Sequence, residues 1–273
     1  MKTQNQCRSI AVLMSLKERV AVITGGAGHL GRVMAGALSE LGANIVLVDL
    51  SKAQCNDAAC YLAKNASSDI LPLEIDLERE ENVRKIPEAV LKHFGRLDIL
   101  VNNAALVGTS DLKGWAVPFG QQNPDSWRRA LEINLTVPFV LTQACTEALR
   151  RSGHGSVINI GSTYGLVGPN LSLYKGTKMV NPAAYAASKG GLLQMTRWLA
   201  TSMAPAVRVN SITPGGIWRN QQDRFVERYK ALTPMGRMAT EEDFKGAVAY
   251  LASDLSSYVT GHNLVVDGGW TTW

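Results

Sequence analysis

Several features that mark particular protein classes are absent from this 273-residue sequence. No apolar run reaches the length of about 18 residues that a membrane-spanning helix needs, so no transmembrane helix is predicted. The four cysteines include no C-x-x-C pair and the four histidines are scattered, so neither a disulfide framework nor a metal site is expected. No basic run is interleaved with aromatic residues despite the net charge of +5, so nucleic-acid binding is not expected.

What remains is the composition of an ordinary globular protein, with 46% apolar and 19% charged residues. There is no Pro/Ser-rich linker and no internal repeat, so we predict one domain over residues 16–273. Residues 1–15 contain too short an apolar run for a signal peptide, and we interpret them as a loose N-terminal extension. A cytoplasmic protein with no membrane partner is therefore expected.

Short apolar runs alternate with longer helical patterns along the chain. Strands are predicted at 19–24, 44–49, 70–74, 97–101, 155–160, 207–212 and 263–266. Helices are predicted at 30–41, 52–64, 78–94, 124–150, 182–203, 221–230 and 240–253. Strands that are apolar throughout and separated by helices indicate a parallel sheet covered on both faces. With right-handed crossovers, this predicts an α/β, doubly wound parallel sheet of about seven strands with helices on both faces.

A glycine-rich segment, Thr24–Gly31, follows the first predicted strand and precedes a helix. Gly26, Gly28 and Gly31 fit G-x-G-x-x-G, in which glycines permit a tight turn and a close approach of the backbone to a pyrophosphate. The helix N-terminus would add free N–H groups and partial positive charge. This context favours a Rossmann-type dinucleotide site over a glycine turn without a ligand. The predicted contacts in this segment are Gly25, Gly28, His29, Leu30 and Gly31.

Asp49 ends the second predicted strand, at the position where a carboxylate accepts hydrogen bonds from the adenosine ribose. Because the same charge repels a 2′-phosphate, Asp49 predicts NAD rather than NADP. The alternative is an aspartate that only caps the following turn. Lys52 lies nearby and weakens the argument against NADP.

Three later segments point to the chemistry: Asn102–Ala105 after the fourth strand, Gly161-Ser162 after the fifth, and Tyr185–Lys189 on the next helix. The last segment reads Y-x-x-x-K, which places its Tyr and Lys on one helix face. From about Leu16 to Gly269 the chain resembles the classical short-chain dehydrogenase/reductase family. Further matching segments are Gly95–Ala104, Arg208–Gly215 and Val266–Gly269.

The resemblance implies a catalytic tetrad of Asn134, Ser162, Tyr185 and Lys189. Tyr185 would exchange a proton with the substrate, helped by the Lys189 cation and the positive nicotinamide, which favour tyrosinate. Ser162 would bond the substrate oxygen, Lys189 would hold the nicotinamide ribose, and Asn134 would support a water linked to Lys189. Each role has an alternative without catalysis: Tyr185 and Lys189 would be an exposed pair on a helix, Ser162 a turn residue, and Asn134 a structural residue at a helix bend.

The resemblance also implies further cofactor contacts. Asp76 would meet the adenine ring, although it also suits a helix N-cap. Asn102 and Ala104 would pass near the ribose, and the segment after the sixth strand would flank the carboxamide. The additional predicted cofactor residues are Leu77, Asn103, Ala104, Pro214, Gly215 and Ile217.

Two departures from the family pattern are present. His29 replaces a glycine, so the loop also fits the T-G-x-x-G-x-x-G form of the extended branch that modifies nucleotide sugars. In addition, Ser162 and Tyr185 are farther apart than is usual, and a second Y-x-x-x-K, Tyr174–Lys178, lies between them. Gly176 and Pro182 disfavour a helix at the second motif, so Tyr185 is preferred.

The extra segment 166–181 is polar and is predicted either to hold a hydroxyl-rich substrate or to form a surface loop or subunit contact. It resembles a branch linked to bacterial surface-sugar and flagellin modification. The loop 215–239, which includes Trp218, Arg219, Arg224 and Arg237, is expected to cover the substrate; its arginines would meet an anion or form an exposed helix face.

The combined prediction is an NAD(H)-dependent oxidoreductase that interconverts an alcohol and a ketone within one dinucleotide-binding catalytic domain. A sugar or sugar derivative is the expected substrate class. The alternatives are a nucleotide-sugar epimerase or dehydratase with tightly bound NAD, and a non-catalytic NAD-binding protein. A homotetramer or homodimer is expected from the resemblance. The C-terminal tail would expose Trp270 and Trp273 unless a partner subunit covers them.

Overall fold

A single parallel sheet organises the described part of the chain, which in this computed structural model comprises residues 7–64, 68–108 and 110–273. Within these residues, seven strands follow the order β3-β2-β1-β4-β5-β6-β7. The strands are β1 (Val20–Thr24), β2 (Asn44–Asp49), β3 (Ile70–Glu74), β4 (Ile99–Asn102), β5 (Gly155–Ile160), β6 (Val207–Pro214) and β7 (Asn263–Val266). This confirms the predicted Rossmann-type α/β fold.

Helices cover both faces of the sheet. The described α-helices are α1 (Ile10–Met14), α2 (His29–Glu40), α3 (Lys52–Ala63), α4 (Glu80–Phe94), α5 (Pro124–Leu131), α6 (Val137–Ser152), α7 (Ala183–Met203), α8 (Asp223–Ala231) and α9 (Lys245–Ala252). Among the described residues, no helix combines the length and apolar character required to cross a bilayer.

The hydrophobic core consists of two layers because successive strand side chains point to opposite faces. On β1, Ala21 and Ile23 pack with buried residues of α2, α3 and α9. Val20 and Val22 of the same strand pack with α4, α6 and α7 on the other face. Every residue of β1 is buried, which explains why this strand is apolar throughout.

The predicted helix 124–150 is instead interrupted. A π-helical turn, Glu132–Thr136, separates α5 from α6. Pro138 lies in the first turn of α6 and has no backbone N–H, so it cannot donate the helical bond to the carbonyl of residue 134. The predicted helix 240–253 likewise begins as a 3₁₀ turn, Glu241–Phe244, before α9.

The N-terminal segment contains ordered contacts where a loose extension is predicted. Helix α1 lies in it, and Arg8 forms an ion pair of 2.8 Å with Asp254. Arg19 binds the same carboxylate at 2.7 Å. Residues 1–6 of the predicted extension lie outside the described residues.

The order of the strands determines where a ligand binds. The chain proceeds outward from β1 to β3 and then returns to place β4 beside β1. In doubly wound sheets, the crevice beyond the carboxyl ends of the strands at this reversal is the binding site. The Gly25–Gly31 loop after β1 and the segment after β4 both lie there.

Candidate active site

Ser162, Tyr185 and Lys189 come together where β5 meets α7. Ser162 follows β5, and the 3₁₀ turn Thr163–Gly165 packs directly against α7. A Cβ at Gly165 would lie 2.8 Å from the Lys189 carbonyl carbon, so glycine is needed for this close approach. Ser162 is buried, its hydroxyl accepts from the backbone N–H of Tyr164 at 3.2 Å, and it lies near enough to Tyr185 to affect the pKa of that phenol.

Tyr185 is half-buried in the first turn of α7. Burial raises the pKa of its phenol, and the hydrogen bond from Ser162 opposes this by lowering it. The net direction is upward, whereas the sequence-based mechanism expects Lys189 and the positive nicotinamide to favour tyrosinate. In the protein alone, the loss of hydration outweighs the opposing effect of Ser162, and Tyr185 holds its proton at neutral pH.

Lys189 lies one helical turn beyond Tyr185 and is 3% exposed. Its Nζ donates a hydrogen bond of 2.7 Å to the carbonyl of Ile160 and lies 5.9 Å from the centroid of the Tyr185 ring. Burial lowers the pKa of the Lys189 ammonium to about 8. The side chain is thus held in place at the end of β5, beside the phenol.

Asn134 lies in the π-helical turn and is fully buried. Its Oδ1 accepts from the backbone N–H of Leu106 at 2.7 Å, and its Nδ2 donates to the Leu106 carbonyl at 3.0 Å. Nδ2 also lies 3.1 Å from the Ser188 hydroxyl, which donates to the carbonyl of Tyr185. Asn134 therefore fixes the loop after β4 to the helix that carries Tyr185. π-Helical turns are often found at functional sites.

The second Y-x-x-x-K motif is not on a helix. Tyr174 ends a short 3₁₀ turn, and its hydroxyl lies 2.6 Å from that of Tyr164. Gly176 has a positive φ of 74°, which terminates any helical continuation, and Lys178 is exposed. The structure thus brings Tyr185, and not Tyr174, into a helical pair with a buried lysine.

The loop between β1 and α2 forms a tight cradle. Gly25 has φ +62°, and a Cβ there would lie 2.9 Å from the Asn103 amide nitrogen. A Cβ at Gly31 would lie 2.9 Å from the Cα of Gly26 and would collide with the Gly25 carbonyl oxygen. Gly28 is the N-cap of α2 and provides no capping side chain, which leaves N–H groups of the first turn free for an anion.

The remaining residues predicted in this loop border the cradle. His29, the first residue of α2, is exposed, as is Gly28, whereas Leu30 is half-buried. Thr24, which is not among the predicted site residues, connects this loop to the segment after β4. Its Oγ1 accepts from the backbone N–H groups of Asn103 at 3.0 Å and Ala104 at 3.1 Å.

Asp49 lies at the carboxyl end of β2 beside the glycine loop. One carboxylate oxygen accepts from the backbone N–H of Ala27 at 3.0 Å, and the other accepts from Leu50 at 2.8 Å. An ionised carboxylate has about four lone-pair positions, so acceptor capacity remains for ribose hydroxyls. Asp49 thus both caps its turn and supports the loop, and it remains able to bind a ligand.

Arg32 is a second charged residue at this end of the site, and the sequence analysis missed it. Its Nε donates to the Ala27 carbonyl at 2.6 Å, and its Nη2 lies 3.4 Å from the Gln54 carbonyl. The signal available in the sequence was its position one turn after Gly28. A guanidinium here moderates the repulsion that Asp49 exerts on a phosphate.

The other predicted cofactor positions differ in their surroundings. Asp76 accepts from the backbone N–H of Glu78 at 3.0 Å and lies 3.6 Å from Arg79, the N-cap of α4. Asp76 therefore caps the turn before α4 and is not the N-cap residue. Leu77, which follows it, is buried. Asn102 points away from the crevice, because its amide is buried against Asn159 at 2.8 Å.

The segment after β6 closes the crevice on the far side. Pro214, Gly215 and Ile217 are half-exposed, and the Gly215 N–H donates to the Val266 carbonyl at 2.9 Å. A Cβ at Gly215 would lie 2.7 Å from the Cα of Asp267, so only glycine fits. The Gly216 N–H donates to the Tyr229 hydroxyl at 2.5 Å, which fixes this segment to α8.

The charged residues of the loop 215–239 are largely paired. Arg219 binds Glu241 at 3.0 Å and Arg237 binds Asp243 at 2.7 Å, while Trp218 and Arg224 are exposed. The prediction that the tail exposes two aromatic residues is wrong for Trp270. It is 7% exposed and stacks on Tyr229, because the tail folds back over α8.

The residues present fit a nicotinamide dinucleotide. The glycine cradle would hold the pyrophosphate at the N-terminus of α2, Asp49 would bind the ribose, and Lys189 lies beside Tyr185 at the reactive end. The described residues contain no cluster of three or more histidine, cysteine, aspartate or glutamate side chains placed to hold a metal ion.

Known proteins resemble this chain over nearly its whole length. The family model described as enoyl-(acyl carrier protein) reductase matches residues 25–271. The trans-4-hydroxycyclohexanecarboxylate dehydrogenase of Sinomonas cyclohexanicum is 34% identical over 260 residues, which cover 93% of each protein. The NAD-dependent glycerol dehydrogenase of Listeria innocua is 30% identical over 267 residues, covering 94% of this chain and 95% of the relative.

A solved structure shows the same architecture. The gluconate 5-dehydrogenase of Burkholderia cenocepacia J2315, in complex with NADP and tartrate, has a TM-score of 0.84 and 27% sequence identity, covering 97% of this chain and 100% of that one. The fold, the site geometry and these relatives lead to one conclusion. The chain belongs to the classical short-chain dehydrogenase/reductase family, whose members are oxidoreductases that act on CH–OH groups with a nicotinamide cofactor.

Proposed function

We propose that this protein is an NAD(H)-dependent oxidoreductase that interconverts a small secondary alcohol and its ketone, with Tyr185 as the general acid and base. The observation that carries this proposal is the assembly of Ser162, Tyr185 and buried Lys189 at the carboxyl end of β5. When bound, the nicotinamide accepts or supplies the hydride at the reacting carbon.

The protein's residues would handle the proton and the substrate oxygen. In ketone reduction, the neutral Tyr185 phenol is the form that donates a proton, and burial maintains this form at neutral pH. In alcohol oxidation the phenol must first ionise. The Ser162 hydrogen bond lowers the pKa of Tyr185, and the Lys189 cation lies 5.9 Å from the Tyr185 ring centroid, so both favour ionisation.

The preference for NAD is part of the proposal and depends on Asp49. Its carboxylate ends β2 beside the glycine loop and would repel a 2′-phosphate. Arg32 works against this preference, because its guanidinium lies next to the same loop. The similarity to an NAD-dependent glycerol dehydrogenase supports NAD, whereas the similar gluconate 5-dehydrogenase holds NADP.

A hydroxylated, sugar-like or hydroxy-acid substrate is the class that we propose. Relatives named for hydroxycyclohexanecarboxylate, glycerol and gluconate support it. The polar segment 166–181 contributes Tyr174, whose hydroxyl lies 2.6 Å from that of Tyr164, two residues after Ser162. One observation favours a second candidate, a nucleotide-sugar epimerase or dehydratase that keeps NAD bound. This is His29 in place of a loop glycine, which fits the pattern of that branch.

We also propose a homotetramer or a homodimer. Exposed aromatic side chains support it: Trp127 on α5, Phe139 on α6 and Trp198, 61% exposed, on α7. Trp273 at the tail is 79% exposed. Contact with a second copy would remove this apolar surface from water. A mass of one chain in light scattering would contradict the proposed oligomer. The cytoplasmic location stays a prediction from the sequence.

The proposed function is tested by following nicotinamide absorbance with NAD and NADP separately, over polyols, sugars and hydroxy acids. We expect turnover with a higher kcat/KM for NAD than for NADP. NAD that remains bound after purification, without net reduction on any alcohol, would favour the epimerase or dehydratase. Binding of NAD without turnover of any kind would favour a non-catalytic protein.

A further inference from the structure

The extra segment 166–181 is fixed against helix α8. The Arg228 guanidinium donates to the backbone carbonyls of Ser172, Leu173 and Lys175, at 3.2, 3.2 and 2.5 Å. Leu173 is buried, and the Tyr174 ring lies 5.4 Å from that of Phe225 on α8. The segment therefore presents its side chains in a defined position.

Tyr174 of this segment and Tyr164, which follows Ser162 by two residues, form a hydroxyl pair with an O–O distance of 2.6 Å. Burial raises the pKa of Tyr174, and the Asn181 side chain beside its hydroxyl lowers it. Only one of the two O–H protons can be donated within the pair, so the other needs an acceptor outside it.

Asn181 shows the complementary deficiency. Its Oδ1 is buried and has no hydrogen-bond partner among the described residues. A buried polar atom without a partner is costly and calls for an explanation. The two phenols and Asn181 thus form one polar group whose hydrogen-bonding capacity is not used up within the group.

This group lies beside the reacting residues. Tyr164 is on the 3₁₀ turn Thr163–Gly165, which follows Ser162, and its backbone N–H donates to the Ser162 hydroxyl at 3.2 Å. The turn that carries Tyr164 packs directly against α7, the helix of Tyr185. Burial raises the pKa of both Tyr164 and Tyr174, so the pair is neutral at physiological pH.

Three arginines near the pair are already engaged, whereas Arg224 on α8 is exposed. Arg228 is engaged with backbone carbonyls, and Arg219 and Arg237 are paired with acidic residues. Two neutral phenols match a neutral oxygen, which can accept from one O–H and donate in return.

We propose that the Tyr164–Tyr174 pair, oriented by Asn181, is a specificity site for a second hydroxyl group, one that neighbours the reacting carbon of the substrate. The proposal rests on the proposed function and deepens it. It assigns the substrate to vicinal diols and polyols, and it makes Tyr174, supplied by the extra segment, a specificity-determining residue.

The test compares 2,3-butanediol with 2-butanol for the wild type and Tyr174→Phe, using nicotinamide absorbance. Phenylalanine retains the ring that packs on Phe225, so the fold should be preserved. We expect the wild type to have a higher kcat/KM for the diol than for 2-butanol. In Tyr174→Phe the ratio of these two kcat/KM values should fall about tenfold, mainly because the KM for the diol rises, since one neutral hydrogen bond is lost. Activity on 2-butanol should stay within about twofold. Tyr258→Phe, at a fully exposed tyrosine, is the matched control.

The outcomes separate this inference from the proposed function. Turnover of both alcohols with no diol preference, or with a preference that Tyr174→Phe leaves intact, overturns the inference and leaves the proposed function standing. If neither alcohol is oxidised, ligand-observed NMR with NAD present decides the inference. Diol binding about tenfold weaker in Tyr174→Phe than in the wild type supports it, and equal or absent binding of the diol overturns it.

Discussion

Replacing Lys189 with methionine should stabilise the fold and abolish catalysis. Lys189 is 3% exposed, and burial lowers the pKa of its ammonium from 10.5 to about 8. One pKa unit corresponds to about 1.4 kcal/mol, so holding the protonated side chain in place costs about 3 kcal/mol at pH 7. Losing its hydrogen bond to the Ile160 carbonyl removes about 1 kcal/mol. The net gain in the free energy of unfolding is therefore about 2 kcal/mol.

The sign of this effect depends on pH. Because the pKa of Lys189 is lower in the folded than in the unfolded protein, the penalty is present in full below pH 8 and fades as pH rises towards 10.5. The advantage of Lys189→Met should therefore be largest at pH 7 and close to zero near pH 10. The other titratable groups contribute equally to the stability of the wild type and of Lys189→Met, so their contributions cancel in the difference between the two proteins.

Thermal unfolding at equal protein concentration measures this difference. For a chain of this size, about 2 kcal/mol raises the melting temperature by about 4 °C. Lys178→Met, at the exposed lysine of the second Y-x-x-x-K motif, is the matched control and should change stability by less than about 0.5 kcal/mol. A Lys189→Met protein that melts below the wild type at pH 7, or that keeps its advantage at pH 10, would refute the reasoning.

Three further predictions concern the cofactor loop and the core. Gly31→Ala should raise the Kd for NADH at least about 30-fold, because the added Cβ strains the loop. Gly36→Ala on the same helix is the control: its Cβ would contact only Leu62 Cδ2, at 3.5 Å, and the Kd should change by less than about twofold. Equal Kd values for the two variants in a fluorescence titration would contradict this prediction. Asp49→Asn should raise the NADP-to-NAD ratio of kcat/KM about tenfold by removing the charge, and an unchanged ratio would show that Asp49 does not select the cofactor. Asp98→Ala should lower the free energy of unfolding by about 3 kcal/mol, since this fully buried carboxylate accepts from the Val20 N–H and the Arg96 guanidinium. Thermal unfolding measures the loss, and a variant that melts at the wild-type temperature would count against the prediction.

Four strands, at the edges of the sheet as well as inside it, could be predicted closely because their signal is local. The predicted bounds of β2, β3, β5 and β7 match the structure, since each is a short and largely apolar run. The order of the strands also follows from general rules, because right-handed crossovers leave few arrangements of alternating strands and helices.

The π-helical turn at Asn134 shows where periodicity fails. Residues 124–150 have a continuous helical pattern, and the interruption arises from the missing N–H of Pro138 together with the side-chain bonds of Asn134 to Leu106. The second of these causes is a contact between residues 28 positions apart. Helical periodicity carries no information about such a contact.

The site was predicted in outline but not in its contacts. Ser162 follows a predicted strand, the Y-x-x-x-K motif places Tyr185 and Lys189 on one helix face, and the family resemblance implies their roles. Arg32 and the Tyr164–Tyr174 pair were missed, because their roles depend on loops that the fold brings together. The upward direction of the Tyr185 pKa was also missed, since desolvation depends on the packing around the ring.

The most direct test of the central claim is Tyr185→Phe, assayed for nicotinamide-dependent turnover together with NADH binding. Removing the hydroxyl removes the group that exchanges the proton, while Lys189 and the glycine cradle remain. We predict a loss of kcat of at least about 1,000-fold with a Kd for NADH within about threefold of the wild type. Turnover that persists at the wild-type rate in Tyr185→Phe would contradict the assignment of Tyr185 as the general acid and base.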